Sequence, residues 1–162
     1  MRSGAVTPAP RWLVDEMLGR LARYLRFVGC DTVYVRGAAD DELLERARRE
    51  GRVLLTRDRE LSRRARASFL VESPHLAEQW RAVRAAYPTV PTTVAFDRCT
   101  LCNGRLEPED AGPAGSLADA PPELPRRGPL YRCCECGHRY WEGSHTSSIR
   151  ARLATWEASG PQ

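Results

Sequence analysis

The sequence predicts an α/β fold, in which a parallel sheet flanked by helices is followed by a small C-terminal zinc ribbon and a terminal helix. Two patterns support this. Short apolar runs alternate with segments of helical period in the first half, and two Cys-x-x-Cys pairs lie in the last third. The 162 residues, 42% of them apolar, suffice for one core and a small appendage. We therefore expect one domain over 11–96 and a cysteine-rich unit over 97–158.

Four short runs have the β-branched and aromatic composition that is typical of strands. In chain order they cover residues 12–14, 32–35, 53–56 and 69–71. A segment of helical character separates each run from the next. Strands that alternate with helices at this spacing are predicted to form a parallel sheet with helices on both faces.

The first predicted helix begins at Glu16 and ends at Gly29. Its apolar residues recur at intervals of three or four: Met17, Leu18, Leu21, Leu25 and Val28. A second helix begins at Asp40 and Asp41 and ends at Gly51, because acidic residues favour helix starts and glycine favours helix ends. Further helices are predicted after Asp58, over 76–86, and over 146–156.

Three aspartates follow the predicted strands. Asp15 ends the first strand, Asp40 opens the helix after the second, and Asp58 lies two residues beyond the third. Ligands of parallel sheets gather beyond the carboxyl ends of the strands, so we expect these side chains to meet at one edge. Helix capping is the alternative for Asp40 and Asp58. Asp15 is the strongest candidate, because an acid after a buried strand has little structural purpose.

A carboxylate cluster repels itself unless a cation is present, which predicts a Mg²⁺ or Mn²⁺ site. These ions prefer oxygen ligands, and they support the hydrolysis of phosphodiester bonds. Glu16 is either a further ligand or a first-turn acid favoured by the helix dipole. A phospho-accepting receiver domain also gathers acids at this edge. Its chemistry uses a lysine, however, and the basic residues of this chain are all arginine.

The cysteines predict a structural zinc site. Cys99 and Cys102 form one Cys-x-x-Cys pair, and Cys133 and Cys136 form a second pair. Two such pairs supply four thiolates to one tetrahedral zinc ion. The alternatives are disulfides and a redox-active Cys-x-x-Cys pair. Disulfides fit poorly, because we expect no secretion signal in this chain. A redox-active pair normally occurs singly, whereas this sequence contains two pairs. Cys134 is predicted to be a spectator or a replacement ligand for Cys133.

Between the two pairs lies a segment that is rich in proline. Residues 107–129 hold six of the twelve prolines of the chain. This composition does not build a packed core, so we predict an inserted loop. Cys30, the remaining cysteine, is predicted to be a buried apolar residue.

Positive charge is concentrated in the first part of the chain. Residues 1–96 contain 17 Arg against 12 Asp and Glu, so this part is the better partner for a polyanion. Arg20, Arg23 and Arg26 recur every third residue and are predicted to share a helical face that either contacts phosphates or faces solvent. Tyr24, Tyr140 and Trp141 could stack on bases, although packing is the more common role of such residues; for Trp141 we favour packing.

Three groups of residues together resemble a known family. The first is the run from Asp15 to Arg26, and the second comprises 40–44 and 55–61. The third comprises Cys99, Cys102, Cys133, Cys136 and the run Tyr140-Trp141-Glu142-Gly143-Ser144-His145. In this combination the chain resembles the PIN-like ribonuclease domain with a zinc ribbon, of the type found at the carboxyl end of Mut-seven exonucleases. The resemblance covers about residues 11–156.

The resemblance implies a PIN-like sheet, a divalent-metal nuclease site and RNA as the substrate. We expect the RNA to be single-stranded. It assigns Mg²⁺ or Mn²⁺ ligand roles to Asp15, Asp40 and Asp58, and zinc roles to the four paired cysteines. We expect Arg20 and Arg23 to orient the strand. His145 could contact substrate, donate a proton or ligate zinc, but a packing role before the last helix is favoured.

The sequence therefore predicts a metal-dependent ribonuclease. No apolar run approaches the roughly 20 residues of a membrane span, and we expect a cytoplasmic protein. The alternatives are a non-catalytic zinc-ribbon module that binds nucleic acid, and an interaction protein whose acids are helix caps.

Overall fold

Four parallel strands form the first sheet. In the computed structural model, which describes residues 9–109 and 129–159, the strands are β1 (Trp12–Val14), β2 (Thr32–Tyr34), β3 (Val53–Thr56) and β4 (Ser68–Leu70). They lie in the order β2-β1-β3-β4, and every pair is parallel. The predicted α/β fold is therefore confirmed. The two central strands are β1 and β3, so the residues that follow them meet in the middle of the sheet edge.

Helices connect the strands. They are α1 (Gly19–Phe27), preceded by a 3₁₀ turn over Glu16–Leu18, then α2 (Asp40–Glu50), α3 (Arg59–Arg64) and α4 (Leu76–Ala86). Gly51 ends α2 with φ of 61°, a left-handed conformation that glycine adopts at little cost. The predicted helices are present: α4 has the predicted bounds, and the other boundaries differ by at most three residues.

The sheet is apolar on both faces. Successive residues of a strand point to opposite sides, and the consecutive residues of β1 are all apolar. Trp12 and Val14 of β1 belong to one buried cluster, which also contains Leu21, Leu25 and Trp80 of the helices. Leu13 belongs to a second cluster on the other face, with Leu43, Ala47 and Leu61. Full burial of each large apolar side chain contributes about 1.5–3 kcal/mol, so both helix layers stabilise the sheet.

The second sheet is small and antiparallel. Its strands are β5 (Leu106–Glu109), β6 (Leu130–Cys133) and β7 (Arg139–Trp141), in the order β5-β6-β7. Residues 107–109 of the predicted loop therefore belong to a strand. Pro108 is tolerated there because β5 is an edge strand. Residues 110–128 of that loop lie outside the described residues.

The terminal helix α5 covers Ser144–Ala158, which is longer than the predicted 146–156. Ile149 and Leu153 of α5 lie in the same buried cluster as Trp12 and Leu21. Trp80 Nε1 of α4 also donates a hydrogen bond to Glu157 Oε1 of α5 (2.7 Å). The chain therefore returns from the ribbon and completes the core of the first sheet.

Two sequence expectations about helix starts are wrong. Met17 is 57% exposed and is not a core residue, because the 3₁₀ turn has three residues per turn and rotates Met17 away from the apolar face of α1. The second error concerns α2, whose N-terminal capping position is occupied by Ala39. The backbone N–H of Ala39 donates a hydrogen bond to Glu42 Oε2 (3.2 Å). Asp40 and Asp41 lie in the first turn instead, where the helix dipole favours acids.

Candidate active site and metal centre

Asp15 follows the central strand β1 and is only 5% exposed. Its Oδ1 accepts a hydrogen bond from the Met17 backbone N–H (2.9 Å), which caps the 3₁₀ turn. Its Oδ2 accepts a hydrogen bond from the hydroxyl of Thr56, the last residue of β3. No arginine or histidine among the described residues forms an ion pair with this carboxylate, whereas Asp31 pairs with Arg52 at 2.8 Å. Asp15 is therefore a buried acid whose protein contacts are all neutral.

Thr56 connects Asp15 to Asp58. The Thr56 hydroxyl donates to Asp15 Oδ2 and accepts a hydrogen bond from the Asp58 backbone N–H (2.9 Å). This contact arises because β1 and β3 are neighbours and Asp15 N–H donates to Leu55 O at 3.2 Å. The sequence interpretation placed Thr56 at the end of the third strand and gave it no role in the site. A hydroxyl residue at the end of a buried strand, two positions before an acid, is the signal that could have identified it.

Asp58 caps helix α3, because its Oδ1 accepts a hydrogen bond from the Leu61 backbone N–H (2.9 Å). The predicted capping role is therefore present. Only one carboxylate oxygen is used for the cap, so Oδ2 has no protein hydrogen-bond partner in residues 9–109 and 129–159. Capping and metal binding are compatible at this residue.

Asp40 lies further from the centre of the site. It is exposed in the first turn of α2, and Arg64 of α3 donates to its Oδ2 (3.3 Å) and also to neighbouring Asp41. No hydrogen bond joins Asp40 to Asp15 or Asp58. The structure thus places all three aspartates after strands at the carboxyl edge, links two of them through Thr56, and pairs the third with an arginine.

The carboxylates are compatible with a hard divalent ion. Each carboxylate oxygen of Asp15 accepts one hydrogen bond and retains a second lone pair. A buried carboxylate without a positive partner is costly, and a cation would compensate for that cost. Mg²⁺ is commonly held by one or two carboxylates with several retained waters, so a magnesium site does not require all three aspartates as direct ligands. Glu16, the weaker candidate, is exposed and accepts a hydrogen bond from the Gly37 backbone N–H (3.1 Å).

Four cysteines form the second centre. The sulfur atoms of Cys99, Cys102, Cys133 and Cys136 all lie within 4.8 Å of one another, and in the described part of the chain they are the only such group of three or more metal-ligating side chains. The Cys99–Cys136 and Cys102–Cys133 sulfur distances are 3.6 and 3.5 Å. Tetrahedral zinc with Zn–S bonds of 2.3 Å requires about 3.8 Å. The donor set therefore fits zinc, and Cys134, which is exposed, lies outside the group.

Tyr140 supports the cysteine cluster. Its hydroxyl lies 3.1 Å from Cys99 Sγ and accepts a hydrogen bond from the Thr100 backbone N–H (3.0 Å). Burial, together with the neighbouring Cys99, raises the pKa of Tyr140 to about 12, so its hydroxyl stays protonated and can donate to a thiolate. Gly104 N–H donates to Cys102 Sγ in the same way (3.4 Å). The hydroxyl of Tyr140 thus belongs to the surroundings of the four-cysteine cluster.

Arg26 does not lie on an exposed helical face with Arg20 and Arg23, as the spacing predicted. It is 6% exposed, and its guanidinium donates to the carbonyl oxygens of Thr32 (2.8 Å), Thr100 (3.1 Å) and Leu101 (3.0 Å). A period of three on a helix of 3.6 residues per turn drifts around the axis, so the third arginine turns toward the ribbon. Arg26 joins α1 to the first zinc knuckle, whereas Arg20 and Arg23 are exposed.

Asn103 and Asp31 hold the same knuckle against the first sheet. Asn103 Oδ1 accepts from the Thr32 N–H and its Nδ2 donates to Asp31 Oδ1, both at 2.8 Å. Arg52 and Arg11 donate to the same carboxylate. Burial of Asp31 opposes its ionisation, but hydrogen bonds from Arg52, Asn103 and Arg11 outweigh that effect and hold the pKa of the carboxyl well below its usual range. The sequence interpretation missed this network.

Of the other predicted contact residues, Tyr24 is buried. It packs against Trp156 with ring centroids 4.8 Å apart, and its hydroxyl accepts from Arg152 (3.0 Å). Its ring is therefore a packing element. Trp141 and His145 both border a cleft beside the ribbon, and His145 lies in the first turn of α5, where it is exposed.

Comparison with known proteins agrees with this architecture. The family model described as Mut7-C RNAse domain matches residues 10–153, which is most of the chain. No curated protein and no solved structure matches the chain. Among the described helices, none is both long and apolar enough to cross a membrane. With its parallel sheet, its four-cysteine centre and this match, the chain belongs to the Mut7-C RNase domain family.

Proposed function

We propose that the protein is a metal-dependent ribonuclease that hydrolyses RNA phosphodiester bonds at a Mg²⁺ or Mn²⁺ site on the carboxyl edge of the parallel sheet. The family is a ribonuclease family, which supports RNA as the substrate. The observation that carries the proposal is Asp15, a carboxylate buried at the end of the central strand without a cationic partner among the described residues. A divalent ion would supply the missing positive charge there.

The three aspartates have different roles in this proposal. Asp15 and Asp58 would hold the ion, because the Thr56 hydroxyl joins the Asp15 carboxylate to the backbone of Asp58. Asp40, whose carboxylate is paired with Arg64, would complete the set of three acids. When bound, the ion would lower the pKa of a water molecule and stabilise negative charge on the leaving oxygen.

Arg20 and Arg23 bind the backbone of a single RNA strand. Both are exposed, and neither forms an ion pair among the described residues, in contrast to Arg59 and Arg150. A guanidinium forms two parallel hydrogen bonds to a phosphate, so unpaired arginines on one helix can fix a strand in register. Both residues border a cleft that also contains Glu16, the residue next to Asp15. We place this activity in the cytoplasm, where the cysteines stay reduced and available for zinc.

Replacement of Asp58 by Asn tests the proposal. Asn caps helices as well as Asp, so α3 should remain folded. We expect Mn²⁺-dependent cleavage of labelled single-stranded RNA to fall at least about 100-fold, because a metal ligand is lost. Glu60→Gln is the matched control: Glu60 is an exposed acid of the same helix, 3.9 Å from Arg63, and its replacement should leave the rate unchanged. Undiminished cleavage by Asp58→Asn would contradict the assignment.

A non-catalytic RNA-binding module is the second candidate. The structural roles of Asp58 as a helix cap and of Asp40 as a partner of Arg64 favour it. Incubation of the pure protein with labelled RNA, with and without Mn²⁺, distinguishes the two. Binding without cleavage products in either Mg²⁺ or Mn²⁺ would support the module and reject the nuclease.

A further inference from the structure

A cleft lies between the zinc ribbon and helices α1 and α5. It has a volume of about 320 Å³, which is in the range of small-ligand sites. Phe27 of α1, Trp141 of β7 and His145 of α5 form its walls together with Phe96 and Tyr140. We call it the aromatic cleft. Three elements distant in sequence thus bring several flat rings to one cavity.

Some ring faces in the aromatic cleft are not stacked against another ring. Phe27 and His145 have centroids 6.2 Å apart and planes inclined at 60°, so neither ring covers the face of the other. Phe96, in contrast, is stacked on Tyr131 at 4.7 Å and 2°. Trp141 is half-buried and His145 is exposed. Flat apolar surfaces of this kind bind planar groups by stacking.

One unpaired cation borders the same cavity. The Arg23 guanidinium lies 5.6 Å from the centroid of Phe27, at the wall of the aromatic cleft. Arg139 and Arg98 also line the cleft, but each is within salt-bridge distance of an acid. Arg23 has no such acidic partner among the described residues. An aromatic cavity beside an unpaired guanidinium matches a ligand with one flat ring and one negative charge, which is the chemistry of a nucleotide.

Shared lining residues connect the aromatic cleft to the residue next to Asp15. A second cleft shares Arg23, Phe27 and His145 with it. A third shares Arg20 and Arg23 with the second and extends to Glu16, beside Asp15. The three clefts follow α1, whose nine residues span about 13 Å. A strand that enters at the ribbon can therefore reach the carboxyl edge along one helix.

We propose that the aromatic cleft binds an unpaired base of the RNA strand, a few nucleotides from the bond that is cut. Trp141 and His145 contact the base, and Arg23 binds the adjacent phosphate. This inference rests on the proposed function for the direction of the strand. It adds a binding site that uses the ribbon and α5, and it explains why the ribbon is anchored so closely to α1 by Arg26.

Binding of a labelled ten-nucleotide oligouridine tests the inference. The full chain carrying Asp58→Asn, without added Mn²⁺, is the parent protein, so that the strand stays intact. We expect Trp141→Ala and His145→Ala each to raise Kd about 5- to 100-fold, the effect of losing one base–aromatic contact. Trp141→Phe retains a ring and should bind close to the parent. Arg23→Gln should weaken binding and reduce its salt dependence, whereas Arg36→Gln, exposed and outside the three clefts, should do neither.

Zinc content and thermal unfolding of each variant show whether the ribbon is intact. Photo-crosslinking of 4-thiouridine RNA to the parent protein locates the base without any cleft substitution, and peptides containing Trp141 or His145 are the expected products. Crosslinks confined to other segments would overturn the inference, as would parent-like Kd values for both alanine variants or no oligouridine binding at all.

The two proposals fail separately. If Asp58→Asn abolishes cleavage while both cleft variants bind normally, the nuclease assignment stands and the aromatic cleft is not a base site. If Asp58→Asn still cleaves RNA and the cleft variants bind weakly, the metal assignment fails and the base site stands.

Discussion

Thr56 uses one hydroxyl to join two candidate metal ligands. It donates to the Asp15 carboxylate and accepts from the Asp58 backbone N–H, so it orients the side chain of the first acid and holds the backbone of the second before any ion binds. Preorganised ligands avoid the free-energy cost of ordering on binding. The residue is fully buried, which keeps water from competing for these hydrogen bonds.

Replacement of Thr56 by Val tests this role. Valine keeps the shape of the side chain, so the sheet should fold, but it leaves the hydrogen-bonding groups of Asp15 and Asp58 unsatisfied. We expect a loss of about 1–3 kcal/mol in the free energy of unfolding and a fall of about 10-fold or more in RNA cleavage. Urea denaturation and initial cleavage rates measure the two effects. Thr56→Ser keeps the hydroxyl and should retain most activity; an active Thr56→Val protein would show that the link is dispensable.

Asp31 predicts a pH dependence of stability. Its pKa is lower in the folded protein than in the unfolded chain, because Arg52, Asn103 and Arg11 stabilise the carboxylate despite its burial. Its contribution is therefore fully present above the ordinary value of 3.8 and is lost as pH falls through the lower, folded value.

The difference in unfolding free energy between the parent protein and Asp31→Asn should accordingly be constant above about pH 5 and shrink as the solution is acidified. Denaturation at several pH values measures this difference. Glu60→Gln, at an exposed position, serves as the comparison. A difference that grows toward acid pH would contradict the sign worked out for Asp31.

At the level of the secondary-structure element, β6 decides which of two adjacent cysteines joins the four-cysteine cluster. Cys133 is the last residue of β6 and is buried in the cluster, whereas the side chain of Cys134, directly after it, is exposed outside the cluster. Successive residues of an extended chain point to opposite sides, so only one of the pair can face the other three thiolates.

The adjacent pair provides a matched experiment. Cys133→Ser should reduce the zinc content below one ion per chain and lower the melting temperature, because structural zinc contributes folding free energy directly. Cys134→Ser should change neither. Metal analysis and thermal unfolding are the measurements. The reverse pattern would mean that Cys134 is the ligand.

At the scale of the whole molecule, the last helix packs against the first strand and the first helix. Helix α5 follows the ribbon but contributes Ile149 and Leu153 to the core that β1 and α1 begin. The ribbon is thus held from both sides, by Arg26 and Asn103 at its start and by α5 at its end. The walls of the aromatic cleft depend on this arrangement, since α1, β7 and α5 all contribute residues to them.

Truncation of Leu153 measures the contribution of α5. The residue is 1% exposed, so Leu153→Ala should lower the free energy of unfolding by about 2–5 kcal/mol. The affected core is the apolar cluster that α5 shares with β1 and α1. Thr155→Ala, at an exposed position of the same helix, should cost far less. Urea denaturation followed by fluorescence of the buried Trp12 and Trp80 reports on that core. An unchanged transition would show that α5 is not part of it.

Local patterns predicted most of the secondary structure. The runs at 12–14 and 53–56 became β1 and β3 because their composition alone favours buried strands. The spacing of the cysteines predicted the metal centre, since two turns of the right length bring four sulfurs together. Met17 and Arg26 were misjudged because their exposure depends on a 3₁₀ turn and on a docked ribbon, which periodicity does not encode.

The sequence by itself determined the strands, the helices, the two Cys-x-x-Cys pairs and the positions of Asp15 and Asp58 after their strands, because each depends on residues close together in the chain. Tertiary structure alone decided that Thr56 connects those acids, that Arg26 anchors the ribbon, and that Phe27, Trp141 and His145 enclose one cleft. These contacts join side chains brought together only when the sheet, the ribbon and the last helix pack, and packing of distant segments leaves no periodic signal in the sequence.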